Sequence, residues 1–168
     1  MVGAYLLFLA LVGLERTFEL ALSRRNAAWA FSQGAVEHGR DHFLAMKLLH
    51  TGFFVSCALE VILLDRPFLQ WLGFPMLGIA LAAQGLRYWA IGSLGRRWNA
   101  RVIAIPGMPL VASGPYRFMR HPNYLAVALE GIAIPLVHTA VFTAIGFTLL
   151  NAWILRVRIR CEEKALAP

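Results

Sequence analysis

Five apolar runs dictate what this chain can become. Val2 to about Leu22, Phe43 to about Leu64, Phe68 to about Gly92, Tyr124 to Val137 and Thr139 to Leu155 are built mostly from aliphatic and aromatic residues, separated by short polar turns. Stretches of ~20 apolar residues mark membrane-spanning helices, and a soluble domain carries only roughly 45–50% apolar residues. Here 59% of residues are hydrophobic and 15% are charged, and the mean hydropathy is +0.62. The pattern predicts an all-α integral membrane protein of about five transmembrane helices, folded as one domain over residues 1–168. Met1 leads straight into Val2–Leu14 without a basic stretch or a small-residue cleavage site, so the first run reads as a retained span.

The net charge of +7 could point to nucleic acid. The arginines, however, stand beside apolar segments rather than along one soluble face, so the positive-inside rule accounts for them and nucleic acid is set aside. Counting Lys and Arg puts the loops after spans one and three, and the tail after span five, on the cytoplasmic side. The chain is expected in a bacterial inner membrane with its C-terminus cytoplasmic. Membrane lipids surround it, and the sequence leaves its oligomeric state open.

Several ionisable residues sit inside the spans: Glu15, Arg16 and Glu19 in the first, His50 and Glu60 in the second, Glu130 in the fourth. Each charge at membrane depth costs ~2.5–3.5 kcal/mol, so each must face a partner or a polar cavity. Glu15 and Glu19 are four apart and share a helix face. A structural ion pair and a part in the site are both open for this trio, as are packing and pocket roles for Glu130. His50 reads as a hydrogen-bonded core residue or a functional group. Gly73, Gly78 and Gly85 offer close helix approach in span three. Between Ser23 and His42 a polar, Gly-interrupted interface loop is expected, and its Glu37, His38, Arg40, Asp41 and His42 match no standard metal spacing. Cys57 and Cys161 suit packing, so neither a metal site nor a disulfide is expected.

The longest polar stretch runs from Ser93 to Asn123. Arg101 to Ile105 could form a short extended piece within it, to which no strand is assigned. Gly114-Pro115 and His121-Pro122 punctuate the backbone, because proline fixes φ, removes a donor and biases the preceding residue away from helix. Between them lies a shaped loop with Tyr116, Arg117, Arg120, His121, Asn123 and Tyr124 at the mouth of an apolar run. That inventory suits a polar cofactor held where membrane meets water. The segment from Arg156 onward continues the last span as an amphipathic helix, with Arg158 and Glu162 on one face.

Gly-Pro-Tyr-Arg-Phe-Met-Arg-His-Pro-Asn-Tyr (114–124) followed, one hairpin later, by Arg-Ile-Arg-Cys-Glu-Glu-Lys-Ala-Leu (158–166) resembles the isoprenylcysteine carboxyl methyltransferase family. The resemblance implies a helical membrane enzyme that moves a methyl group from S-adenosyl-L-methionine to a lipidic small-molecule acceptor. It further implies that Tyr116, His121, Pro122, Asn123 and Tyr124 line the cofactor pocket, with the backbone of Met108, Pro109, Leu110 and Val111 crossing the adenosine. Glu162 would meet the cofactor's charged end, and Arg158 the acceptor's polar group. A carboxylate pairs with an ammonium or sulfonium, and aromatic faces favour a cation by ~0.5–2 kcal/mol.

Methyl transfer is an in-line displacement, so alignment and exclusion of water are its main demands. A carboxylate acceptor needs no base, whereas a hydroxyl gains from one, and His121 is the nearest candidate. Glu15-Arg16-x-x-Glu19-Leu20 with Ser23-x-Arg25-Asn26, then Gly34-x-x-Glu37-x-Gly39-x-x-His42, is similar to a bacterial subgroup that methylates alkylpyrones and alkylresorcinols. A long-chain polyketide hydroxyl is therefore favoured over a prenylcysteine-type carboxylate. Two other readings stand beside this one. A sterol-reductase type enzyme using NADPH shares an Arg-His-x-Asn-Tyr segment, and a non-enzymatic carrier would use the intramembrane charges as its pathway.

Overall fold

The computed structural model describes residues 1–166. The last two positions of the expected domain, and the side chain of Asp41, lie outside the described residues. Five α-helices carry the chain: α1 (Val2–Ser32), α2 (Arg40–Leu63), α3 (Gln70–Leu94), α4 (Pro122–Leu136) and α5 (Val141–Ala165). Two of them, over His42–Leu63 and Val141–Ala165, are long and apolar enough by composition alone to cross a membrane. α4 has 15 residues, about 22 Å of helix against a hydrocarbon core of ~30 Å.

Three expectations are corrected. The first helix does not stop at Ser23-Arg24-Arg25-Asn26 but runs unbroken to Ser32. The reason is tertiary: Ser23 and Asn26 are buried, with the Asn26 amide donating to the Gly95 and Trp98 carbonyls at 3.2 and 2.8 Å. Polar residues that would end a free helix are satisfied here by the loop after α3. The segment beyond α1 is also more ordered than a solvated loop. β1 (Val36–His38) pairs antiparallel with β2 (Val102–Ala104), matching Val36 to Ala104 and His38 to Val102. The Arg101–Ile105 stretch thus contains a strand, whose partner lies about 65 residues earlier in the chain. Within the charged cluster, Glu37 accepts from Arg40 at 3.2 Å and from Arg101 at 3.1 Å. Finally, of the three glycines expected to admit close approach, only Gly73 does so: a Cβ there would lie 2.7 Å from the Val137 carbonyl, whereas Gly78 and Gly85 face open space.

The α4–α5 hairpin is held by capping from a distance. Glu60 of α2 accepts the Phe142 and Thr143 amides at 3.1 and 2.7 Å and the Thr143 hydroxyl at 2.8 Å, taking up orphan donors at the start of α5. Arg66 pairs with the same carboxylate at 2.8 Å. Around this end Tyr5, Leu9, Phe53, Cys57, Val61, Ala133, Ile134 and Phe147 form the packed core. Cys57 and Cys161 are both free thiols.

Nearer the other end the helices are joined by charges. Glu130 of α4 accepts from Arg87 of α3 through Nε at 3.2 Å and Nη2 at 2.5 Å, and from Arg16 of α1 at 3.1 Å. Arg16 also meets Glu19 at 2.8 Å and the Gln84 amide oxygen at 2.6 Å, while Gln84 donates to Glu15. Arg87 and Glu130 are each buried. Removing one member of such a pair leaves the other charge buried and alone, which costs about 3–5 kcal/mol. Glu130→Ala should therefore destabilise the protein by about that amount in denaturant titrations of detergent-purified protein, and a loss under ~1 kcal/mol would show that the network is not structural.

Candidate functional site

The site forms where the hairpin returns. Pro122 occupies the first turn of α4, where its missing N–H is no loss, so His121 and Tyr124 stand at a helix start. Arg158 and Glu162 lie one turn apart on α5 and face them. Tyr124 donates its hydroxyl to Glu162 Oε2. The His121 ring stacks on Tyr124 with centroids 5.4 Å apart. Its Nδ1 lies 3.9 Å from Glu162 and its Nε2 3.5 Å from Glu163, so both ring nitrogens face carboxylates. Gly114, at φ +58°, shapes the preceding loop: a Cβ there would strike the Ser93 side chain.

Two cavities meet at these residues. The larger, about 670 Å³, runs between facing sides of α1 and α2 up to Tyr116, His121, Asn123, Tyr124, Arg158 and Glu162. The smaller, about 160 Å³, lies under Met108, Pro109, Leu110 and Val111, with β2 and the end of α5 as its other walls. Leu94, Asn99, Tyr124, Arg158 and Glu162 line both. The expected site residues are therefore gathered but divided. Met108 to Val111 border only the smaller space, Tyr116, His121 and Asn123 only the larger, and Pro122 is buried behind them.

Arg158 is the most telling member. It is 4% exposed, and Nη2 donates to the Ala100 carbonyl at 2.7 Å, yet Nε and Nη1 meet no acceptor among the described residues. Buried donors are nearly always paired, so two orphans on one guanidinium at the junction of two cavities mark a place for an anionic or carbonyl group. Glu162, partly exposed, supplies a carboxylate beside it for a cation. Burial pushes the Tyr116 phenol above its ordinary pKa, and Glu162 acts in the same direction, so Tyr116 remains a protonated donor. These groups can answer a cation at Glu162, an anionic or carbonyl oxygen at Arg158 and an aromatic or cationic surface at Tyr124 and His121.

Some of the walls were not foreseen. Trp98, Asn99 and Ala100 border the larger cavity, and the Ala100 contribution is a backbone carbonyl that leaves no trace in residue identity. Arg97 donates to the Pro109 carbonyl at 2.7 Å and so holds the loop over the smaller cavity. The trio in α1 and the charge in α4 resolve as one network that also reaches the site: Arg16 and Glu19 line the larger cavity, and Arg87 donates to Asn123 at 3.4 Å.

Comparison with known proteins agrees with this arrangement. The chain is 42% identical over 161 residues to the uncharacterised protein YpbQ of Bacillus subtilis, covering 95% of both chains. It is 25% identical over 155 residues to an uncharacterised protein of Haemophilus influenzae, covering 90% of this chain and 88% of the other. Residues 76–168, which contain both halves of the site from Met108 to Glu162, match the profile of the isoprenylcysteine carboxyl methyltransferase family. With more than half its length matched, the chain belongs to that family of membrane methyltransferases.

Proposed function

We propose that this protein is an S-adenosylmethionine-dependent O-methyltransferase acting on a lipid-borne acceptor, with the cofactor over the smaller cavity and the acceptor in the larger one. The observation that carries the proposal is the shared wall. Tyr124, Arg158 and Glu162 border both spaces, so two reactants lying in them meet at those three residues. S-adenosylmethionine would supply a methyl group on a cationic sulfur. Glu162, oriented by the Tyr124 hydroxyl and flanked by His121, holds the positive end of the cofactor. Met108 to Val111 cover the adenosine. The two free donors of Arg158 hold the acceptor oxygen in line, and the groove walls exclude water, which is where most of the rate gain in an alignment-driven reaction arises. When the acceptor is a hydroxyl, His121 between its two carboxylates carries the released proton toward water.

All five helices cross a bacterial inner membrane in this reading, with the ends that carry the site, and the C-terminus, in the cytoplasm. The charges that lower the hydropathy of α1 and α3 face one another and Glu130 of α4 rather than lipid, and α4 is apolar but short. The acceptor is a long-chain polyketide hydroxyl in preference to a prenylcysteine-type carboxylate on the resemblance carried by the Glu15–His42 pattern, and the apolar groove walls fit its hydrocarbon chain.

Incubating purified protein with labelled S-adenosylmethionine and a bacterial lipid extract should give a labelled lipid, and calorimetry should detect S-adenosylhomocysteine. Binding of NADPH alone would overturn the assignment in favour of a reductase. Glu162→Gln should weaken cofactor affinity by ~1.5–3 kcal/mol, the worth of a hydrogen bond to a charged group. An affinity within about twofold of wild type would remove Glu162 from the cofactor site. Arg158→Ala should lower turnover with little change in S-adenosylhomocysteine affinity, and the opposite pattern would exchange the roles of the two residues.

A further inference from the structure

The loop that roofs the smaller cavity is held by very little. From Pro106 to Ala112 its backbone makes one hydrogen bond within the loop among the described residues, from the Met108 amide to the Ile105 carbonyl at 3.3 Å, in a turn where Gly107 takes φ +73°. One more reaches the rest of the protein: Arg97 Nη1 donates to the Pro109 carbonyl at 2.7 Å. Pro106 and Pro109 have no amide to offer, and Gly107, Pro109, Leu110 and Ala112 are exposed. A segment with so few backbone bonds and so little burial opens at a low free-energy cost.

The two ends of that tie are fixed to different degrees. Arg97 closes the 3-10 turn Gly95–Arg97, and the Asn26 side chain of α1 grips the turn on both sides through the Gly95 and Trp98 carbonyls. Trp98 is buried, so the base of the turn does not shift. The Arg97 side chain itself is exposed, and water competes for its donors, which keeps the net worth of the bond modest. A cation on a rigid base that reaches a loose carbonyl is a catch able to open and close. Movement is confined to the stretch it holds, because β2 is paired with β1 on one side and Gly114 is packed against Ser93 on the other.

The space beneath is about 160 Å³, whereas small-molecule sites span roughly 300–1,000 Å³. A molecule built from an adenosine and an amino acid does not pass into it while the loop lies as it does. The loop has to lift and then settle again.

We propose that residues 106–112 are a strap over the cofactor and that Arg97 is its catch, a positioning residue that sets how long the cofactor stays bound. Exchange takes place under the lifted strap, on the side away from the α1–α2 groove, whose walls include none of the strap residues. The inference rests on the cofactor lying in the smaller cavity.

Release of labelled S-adenosylhomocysteine from detergent-purified protein is timed after dilution into unlabelled ligand. Hydrogen exchange is followed at the Gly107, Met108, Leu110, Val111 and Ala112 amides with and without the ligand. In the wild type the ligand should slow exchange at these amides. Arg97→Ala should release it about tenfold faster, the scale of one charge-assisted hydrogen bond, with association rate and melting temperature little changed. Arg97→Lys, which keeps a cationic donor, should recover part of the difference. Arg96→Ala removes the same charge from the neighbouring exposed residue, which makes no bond to the loop, and should release the ligand as wild type does. Release from Arg97→Ala within about twofold of wild type, equal acceleration in Arg96→Ala, or loop exchange indifferent to bound ligand would overturn the inference and leave the methyltransferase reading in place. If NADPH instead slows loop exchange and leaves faster from Arg97→Ala, the strap stands and that reading falls. Binding of neither ligand overturns both.

Discussion

A carboxylate gripped by two arginines holds the site end of this bundle together. Glu130 has few alternatives, since an isolated buried charge is expensive and its two partners come from different helices, Arg16 on α1 and Arg87 on α3. The arrangement ties α1 to α3 and α4 through long side chains, while α3 and α4 pack closely against each other. Space is left beside α1 as a result. Where Tyr5, Phe53, Val61, Ala133 and Phe147 interlock, the bundle has a solid core; where Arg16, Gln84, Arg87 and Glu130 bridge, it leaves a cavity. The network is thus both scaffold and wall, and Asn123 continues it into the loop that forms the site.

A second constraint is the short hairpin. α4 and α5 are joined by a turn in which Thr139 takes φ +53° and donates to the Pro67 carbonyl at 2.6 Å, while Glu60 supplies the acceptors that the start of α5 needs. Antiparallel return over these lengths brings Glu162 back to Tyr124, 38 residues earlier in the chain. The smaller cavity needs one more element: the β1–β2 pair lays the loop after α3 across the end of α5, and Arg97 pins its far side. The two spaces differ in their surroundings, the smaller bounded by loop, strand and the end of α5 and the larger running between helices, and they share a wall of five residues.

What could be read in advance follows physical range. The apolar runs coincide with five helices: α2, α3 and α4 begin and end within a few residues of their runs, and α5 continues ten residues past Leu155 through the amphipathic segment. Local rules failed at α1. Ser23-Arg24-Arg25-Asn26 has the composition of a helix end, yet the chain stays helical because Asn26 and Ser23 find partners in the loop some 70 residues away. Val102–Ala104 was ambiguous for the same reason, as a three-residue strand exists only through its partner. In the site, Tyr116, His121, Asn123, Tyr124, Arg158 and Glu162 were legible as polar residues in costly places. Their division between two cavities was not.

The sequence by itself determined the class of protein and the inventory of its site: apolar runs require helices in a membrane, and the Pro-punctuated loop and the Arg158–Glu162 turn supply the cations, carboxylates and aromatic rings. Only the tertiary structure decided which of these meet. Whether Glu15, Arg16, Glu19 and Glu130 were four separate expenses or one network depends on helix rotation, which residue type does not encode. That the Arg16 guanidinium is spent on Glu19, Gln84 and Glu130 although it borders the larger cavity is likewise a matter of distances, fixed when the helices pack around the same hollow.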